Sequence, residues 1–173
     1  MKRVCITFLS LGIILLTAVA FFYNKPVEKQ GYLRIHIRAN SNCEVDQQVK
    51  YKVKERVVTF LTPFVAECQT VERAKEMLQN KIPEIEKVAN SVLQENGFNY
   101  FSKAKLKTEE FPTRVYKDLT LESGFYDALI ISLGEGTGDN WWCVVYPPLC
   151  FVGEGNSFVY KSKIKQIIND FFK

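Results

Sequence analysis

Residues 32–38 read Tyr-Leu-Arg-Ile-His-Ile-Arg, and apolar and basic side chains alternate strictly along them. This period of two is the pattern of a half-buried β-strand. The strand presents one apolar face to a core, consisting of Leu33, Ile35 and Ile37. Its other face, consisting of Arg34, His36 and Arg38, is predicted to lie in solvent.

The period changes to that of a helix directly after this strand. Asn40-Ser41-Asn42 is typical of a turn and helix cap, and apolar residues then recur at helical spacing from Val49 to Phe64. Thr70 is predicted to cap a second helix. Pro83, a residue favoured in the first turn, is predicted to begin a third helix that ends at Asn96-Gly97.

From Phe98 onward the period returns to two, in four runs separated by turns at Pro112, Gly124 and Gly134–Gly138. The runs cover residues 98–107, 115–121, 126–133 and 141–146. Such closely spaced strands predict an antiparallel meander, in which the glycine-rich segment is a wide hairpin turn. One strand, then helices, then strands predicts a single α+β domain. Its sheet is expected to be mostly antiparallel, with about three helices inserted after the first strand.

The first 23 residues have the composition of an export signal. Lys2 and Arg3 precede an uncharged apolar run from Val4 to Phe22. Ala18-Val19-Ala20 has the form of a cleavage site, but the run also approaches the roughly 20 residues that span a bilayer, so cleavage and anchoring both stay open. The predicted organisation is a signal or anchor (1–23), a linker (24–30), an exported α+β domain (31–152) and a tail (153–173) that can form an amphipathic helix.

Composition favours one exported domain and argues against nucleic-acid binding. About 150 residues follow the signal, which suits one domain with a substantial core. The chain carries a net charge of +4, of which Lys2 and Arg3 supply two. So small an excess does not indicate a surface for phosphate backbones.

Four cysteines lie beyond the signal, and an even number in an exported domain suggests disulfide bonding. Cys143 and Cys150 flank a proline turn that can bring them within disulfide distance, so this pair is the candidate disulfide. Cys43 and Cys68 bracket the first helix and are expected to stay thiols. The alternative for all four is buried, unpaired cysteine.

The sequence contains few residues that could form a catalytic or metal-binding site. Its single histidine, His36, is expected to face solvent; a Cys-His hydrolase would need Cys143 or Cys150 beside it, on neighbouring first and last strands. The cysteines lack paired Cys-x-x-Cys spacing, so neither a metal site nor a cofactor is predicted. Glu135 with Asp139 or Asp127 is a possible carboxylate pair for cleaving a wall glycan.

Aromatic residues make a stronger case for binding another protein. On a strand, Trp141 and Trp142 face opposite sides; if Trp142 enters the core, Trp141 stands on the open face. The alternative is that helices bury both rings. A neighbouring strand can bring a second cluster close, and the candidate partner-binding residues are Phe111, Arg114, Tyr116, Glu135, Asn140, Trp141 and Trp142.

The chain resembles the stage II sporulation protein R family of endospore-forming bacteria. The matching stretches are residues 33–41 with Asp46-Gln47, residues 111–116, residues 124–129, residues 134–136 and residues 140–151. The Asn-Trp-Trp-Cys and Pro-Pro-Leu-Cys-Phe sequences within the last stretch are highly specific. The tail after Phe151 matches no pattern of the family.

The resemblance implies a protein that is made in the forespore, is exported to the space between the two membranes, and signals without catalysing a reaction. It also implies a partner, a membrane-embedded aspartic protease of the mother cell that cleaves the precursor of the early mother-cell sigma factor. Trp141, Asn140, Arg114 and Tyr116 with the Gly134–Gly138 turn, braced by the disulfide, would form the binding surface. The alternative function is a secreted cell-wall hydrolase.

Overall fold

A computed structural model describes residues 28–116, 119–151 and 158–173, together with Gly12. The predicted signal or anchor, residues 1–23, therefore falls outside the described residues except for Gly12. Within the described part of the chain, no helix has both the length and the apolar character needed to cross a membrane. The strands are β1 (Glu28–Arg38), β2 (Ser102–Phe111), β3 (Arg114–Tyr116), β4 (Leu119–Leu121), β5 (Gly124–Leu133) and β6 (Asn140–Tyr146). The helices are α1 (Glu44–Val65), α2 (Val71–Glu95) and α3 (Phe158–Phe171), with a short 3₁₀ turn at Leu149–Phe151.

The architecture is α+β, as predicted, with a mostly antiparallel sheet and, in the ranges given above, the three helices α1 to α3. Four strands form this sheet in the order β2-β5-β1-β6. Strand β1 runs parallel to β5 and antiparallel to β6, while β2 and β5 are antiparallel. Strands β3 and β4 form a separate two-stranded sheet, in which Arg114 pairs with Leu121. The predicted single strand over residues 115–121 is therefore two short paired strands.

Strand β1 is central and not half-exposed, which corrects the first expectation from its sequence. Its Ile35 and Ile37 are fully buried in the main core, and Arg34 and His36 on the other face are only 0% and 2% exposed. The basic residues are covered because aromatic residues and a carboxylate from β2, β5 and β6 pack over them. The predicted alternation is present, but the face that carries Arg34 and His36 is buried and not exposed to solvent.

Two long helices, and not three, follow β1. Thr70 caps α2 as predicted, accepting a hydrogen bond from the Arg73 backbone N–H at 3.3 Å. Pro83 lies inside this 25-residue helix instead of beginning a new one. The helix continues because its buried stripe extends past the proline, from Leu78 before it to Ile85 after it. The third helix, α3, lies at the carboxyl end.

The glycine-rich segment is a crossover and not a hairpin turn, so the predicted meander is wrong. Strand β1 lies between β5 and β6, and residues 134–139 pass over the end of β1 to connect them. The backbone N–H of Gly138 donates to the Ala39 carbonyl at 2.9 Å. A Cβ atom on Gly138 would lie 2.2 Å from the Ser41 carbonyl oxygen, which explains the need for glycine in this close approach.

The sheet has one hydrophobic cluster on each face. The larger lies between the sheet and the helices, and includes Ile35, Ile37, Val53 and Ile85. Helix α3 docks on it through fully buried Ile164, while the ring of Phe171 contacts Tyr32 with centroids 5.3 Å apart. The smaller cluster lies on the opposite face, with four buried residues at its centre: Phe111, Tyr126, Ala128 and Ile130.

Candidate functional site

The smaller cluster is the most unusual environment in the protein, because two basic side chains are buried within it. We call it the aromatic cluster and define it by Arg34 and His36 with the rings of Phe111, Tyr116, Tyr126 and Trp142. Tyr116 contacts Arg34 and also packs against the main core. Strands β1, β2, β3, β5 and β6 each contribute to it. The cluster therefore joins the four-stranded sheet to the small sheet of β3 and β4.

Arg34 forms the centre of this cluster. Its guanidinium carbon lies 4.2 Å from the ring centroid of Phe111 and 4.9 Å from that of Tyr126. Its Nη2 donates to the Tyr116 hydroxyl at 2.9 Å, whereas Nε and Nη1 have no hydrogen-bond partner among the described residues. Ring faces attract a desolvated guanidinium, so cation–π contact partly offsets the cost of burying this charge.

His36 lies beside Arg34 and is stacked on Trp142, with ring centroids 3.7 Å apart and planes 20° from parallel. Its Nδ1 lies 3.1 Å from Glu109 Oε2, and Arg38 pairs with the same carboxylate. Burial lowers the pKa of His36, although the nearby polar side chains of Asn140 and Glu109 oppose that effect. Because an ionised carboxylate only accepts hydrogen bonds, the neutral ring carries its proton on Nδ1. The expectation that His36 faces solvent is wrong.

The structure places four of the predicted site residues together in this region. Phe111 contacts Trp142 with ring centroids 4.8 Å apart, and the Arg114 guanidinium carbon lies 5.8 Å from the Trp142 ring centroid. Tyr116 is held by Arg34, and Phe111 is fully buried. Phe111 therefore supports the surface from beneath, while Arg114 and part of the Trp142 ring are accessible.

The two tryptophans have the reverse of the predicted orientation. Trp141 packs against the main core on the helical side, where Lys54 Nζ lies 5.9 Å from its ring centroid, and Trp142 stands on the other face. Residues grouped with Trp141 in the predicted surface are thus divided between the two faces of β6. The β1–β6 pairing has a bulge at Leu33 and Arg34. Beyond Val144, the side chains of β6 therefore point to the opposite faces from those that strict alternation predicts.

Asn140 and Glu135 lie apart from the aromatic cluster's centre. Both side chains are exposed, Asn140 at the start of β6 and Glu135 in the crossover. The Glu135 backbone N–H is bound by the Asn40 side-chain oxygen at 2.9 Å, so its position is fixed by the backbone.

A hydrogen-bond network that the sequence did not reveal holds this crossover. Buried Asp46 accepts from Asn40 at 2.8 Å and from the hydroxyls of Ser41 and Tyr100, each at 2.6 Å. Burial alone would raise the pKa of Asp46, but these hydrogen bonds outweigh it and lower the pKa. Asn40, Ser41 and Asp46, which carry part of the family resemblance, fix the chain where β1, α1 and the crossover meet.

The cysteine pair is close in space. Cys143 and Cys150 are free thiols, and Cys150 Sγ lies 2.7 Å from the Val144 carbonyl oxygen. A hydrogen bond with Cys150 lowers the pKa of Cys143, whereas burial raises that of Cys150. Their disulfide stays a prediction. Cys43 and Cys68 lie at opposite ends of α1, as expected.

The Cys-His centre and the Glu135–Asp127 carboxylate pair are not assembled, whereas Glu135 and Asp139 both lie exposed in the crossover. Strands β1 and β6 are neighbours, but Cys143 belongs to the main core while His36 belongs to the opposite face. Asp127 pairs with Lys75 and Thr108 near the start of β5, about 20 Å of strand from Glu135. Within residues 28–116, 119–151 and 158–173, no three acidic, histidine or cysteine side chains are grouped as metal ligands.

Comparison with known proteins gives the family. A sequence profile of stage II sporulation protein R matches residues 29–156. Stage II sporulation protein R of Bacillus subtilis (strain 168) is 34% identical over 141 residues, which cover 81% of this chain and 63% of that protein. The chain thus matches less than two thirds of the length of that relative. No solved structure matches the chain. The matched region contains β1 from Lys29 onward, β2 to β6 and the whole aromatic cluster, and the chain belongs to the stage II sporulation protein R family.

Proposed function

We propose that this sporulation protein is a signal exported from the forespore, and that it activates a membrane-embedded aspartic protease of the mother cell. The activated protease would cleave the precursor of the early mother-cell sigma factor. Residues 1–23 would deliver the folded domain into the space between the two membranes. The observation that carries the proposal is membership of the stage II sporulation protein R family across most of the folded domain.

The aromatic cluster supplies a surface suited to this role. Arg114 and the accessible part of Trp142 lie over buried Phe111, Arg34 and His36, whose contacts fix the ring positions before any partner arrives. A fixed aromatic and arginine surface loses little entropy on binding, and these residue types dominate binding energy in protein interfaces. Activation requires that this surface bind the active form of the protease more tightly than the inactive form.

Action by binding fits the state of His36 and Asp127 better than hydrolysis does. His36 is buried between Trp142 and Glu109, and Asp127 is paired with Lys75 and Thr108. A hydrolase needs such groups accessible to substrate and water. In an activator, His36 instead supports the ring of Trp142, on which it is stacked.

Co-expression with the candidate protease and the sigma-factor precursor in a non-sporulating host tests the proposal. We expect precursor cleavage only when all three proteins are present, and a strong loss of cleavage with Trp142→Ala in protein that is still exported and folded. Lys105→Ala, on the exposed side of β2, is the matched surface control and should cleave normally. Cleavage that does not depend on this protein would refute the proposal, as would turnover of purified wall material by the protein alone.

A further inference from the structure

Strand β6 is an outer strand of the four-stranded sheet, with β1 on one side and no strand on the other among the described residues. The opposite outer strand, β2, carries three exposed lysines, which is a common protection against unwanted strand pairing. Strand β6 instead begins with Asn140, Trp141 and Trp142. Its far end is covered, since Val144 and Val145 are fully buried and the 3₁₀ turn packs there.

Two contacts indicate which backbone groups of β6 point away from β1. Cys150 Sγ reaches the Val144 carbonyl from outside the strand pair. The rings of His36 and Trp142, which are opposite each other, stack at 3.7 Å, as expected for a closely spaced pair that exchanges no backbone hydrogen bonds. Residues 140, 142 and 144 share this orientation because backbone direction alternates along a strand. Among the described residues, no backbone group from a turn or loop bonds the N–H or C=O of Asn140 or Trp142.

A cation stands over the tryptophan on each face of this free edge. Arg114 lies 5.8 Å from the Trp142 ring centroid on the open face, and Lys54 lies 5.9 Å from that of Trp141 on the helical face. An added strand would place successive side chains alternately beside these two cations. Carboxylates at two consecutive positions would therefore meet one cation each.

We propose that the free edge of β6, from Asn140 to Trp142, binds an extended acidic segment of a partner protein by strand addition. This proposal deepens the proposed function and rests on it for the existence of a protein partner. Backbone hydrogen bonds to Asn140 and Trp142 would supply affinity, and adjacent acidic side chains beside Arg114 and Lys54 would supply specificity. The two faces of β6 then act together, which explains why both tryptophans are partly exposed.

A synthetic peptide tests the edge directly, without the protease. The probe is an acetylated, amidated decapeptide, Thr-Val-Thr-Val-Glu-Glu-Val-Thr-Val-Thr; its matched controls replace both glutamates by lysine, or methylate alternate backbone nitrogens. The sequence contains only two tryptophans, both in this site, so intrinsic fluorescence reports binding there. We expect the acidic peptide to bind, and to protect the backbone amides of Asn140 and Trp142 from hydrogen exchange. Each control peptide should bind about tenfold more weakly or worse.

Two pairs of variants separate backbone from side-chain contributions. Asn140→Pro removes an outward N–H, which an edge strand tolerates, and should bind about tenfold more weakly than Asn140→Ala, which keeps the N–H. Lys54→Glu should weaken binding of the acidic peptide and favour the lysine peptide. Lys105→Glu makes the same charge change on β2 and should alter neither.

The proposal fails if, in the free protein, the amides of Asn140 and Trp142 exchange as slowly as that of Trp141, because their groups would then already be bonded. It also fails if Asn140→Pro and Asn140→Ala bind equally, or if sedimentation shows that a second copy of this chain occupies the edge. If the protein binds the peptide but does not activate the protease, strand addition at β6 is supported and the proposed function is refuted. If folded Asn140→Pro activates the protease fully, the proposed function is supported and strand addition at β6 is refuted.

Discussion

His36 shows how a single buried residue makes stability depend on pH. Burial between Trp142 and Glu109 holds its pKa below its ordinary value of 6.5, even with Glu109 and Asn140 favouring the proton and Arg38 opposing it. As pH falls below 6.5, the unfolded chain takes up a proton that the folded ring binds less readily. The free energy of unfolding should therefore fall on acidification from pH 7 towards pH 5.

The histidine is the only one in the sequence, so this pH window isolates it. In His36→Gln the decline between pH 7 and pH 5 should be much smaller, whatever the variant's stability at pH 7. Urea unfolding at a series of pH values measures both slopes. Equal slopes in the two proteins would show that His36 is not the group responsible. Below that window, Asp46 and Glu109, whose pKa values are also lowered, should continue the loss in both proteins.

Gly138 is required by the close approach of two backbones. A Cβ at this position would lie 2.2 Å from the Ser41 carbonyl oxygen, and neither backbone is free to move because Gly138 also donates to Ala39. Gly138→Ala should reduce the free energy of unfolding by about 3 kcal/mol. Gly97→Ala is the control, since Gly97 has a φ of +79° but open space around it, and should cost about 1 kcal/mol. Thermal unfolding compares them, and equal losses would indicate that contact with Ser41 is unimportant.

At the residue scale, the sequence predicted which residues belong to the site better than it predicted which face of the sheet their side chains occupy. It grouped Phe111, Arg114 and Tyr116 with the tryptophans; in the structure Phe111 and Arg114 lie at Trp142, and Tyr116 joins the same cluster through Arg34. It reversed Trp141 and Trp142, because alternation separates two faces without saying which one the helices cover. Only the placement of β6 beside β1 determines that choice.

At the scale of elements, α2 shows that an apolar stripe outweighs a single helix breaker. Pro83 has no N–H to donate to the Gln79 carbonyl, yet the buried stripe continues on both sides of it. The sequence rule that places proline in a first turn therefore gave one helix too many between β1 and β2. Helix capping at Thr70 was predicted correctly because it depends only on neighbouring residues.

Replacing this proline should stabilise the protein. Pro83 is exposed, so Pro83→Ala loses no packing and restores a backbone hydrogen bond, with an expected gain of about 1 to 2 kcal/mol. Lys87→Ala, at another exposed position of α2, should change stability by less than about 0.5 kcal/mol. Urea unfolding checks both variants. A loss of stability in Pro83→Ala would mean that the packing of α2 depends on the local distortion that proline imposes.

Strand β1 shows why sheet order was the hardest feature to predict. Its alternating pattern fits an outer strand with one solvent-exposed face equally well. Nothing in residues 32–38 indicates that aromatic rings cover Arg34 and His36. The crossover over β1 depends on contacts between residues nearly a hundred positions apart, such as Gly138 with Ala39. Local periodicity carries no information on such pairs.

At the scale of the whole molecule, the two faces of the sheet should differ in stability. The main core joins β1, β5 and β6 to α1, α2 and α3, whereas among the described residues β3 and β4 pair only with each other and meet the rest through side chains such as Tyr116. Regions with few buried apolar contacts open locally well before global unfolding. Val115, 66% exposed on β3, belongs to such a region.

Native-state hydrogen exchange should therefore resolve two levels of protection. Amides in the β3–β4 pair should exchange through local opening at free energies well below global unfolding, while those of Ile35 and Ile37 in β1 should exchange only on global unfolding. Tyr116→Phe removes the hydroxyl that accepts from Arg34 and should speed exchange in β3 and β4 further, leaving β1 nearly unchanged. If the small sheet were instead as protected as β1, the aromatic cluster would be a full second core. The surface around Trp142 would then open only when the whole protein unfolds.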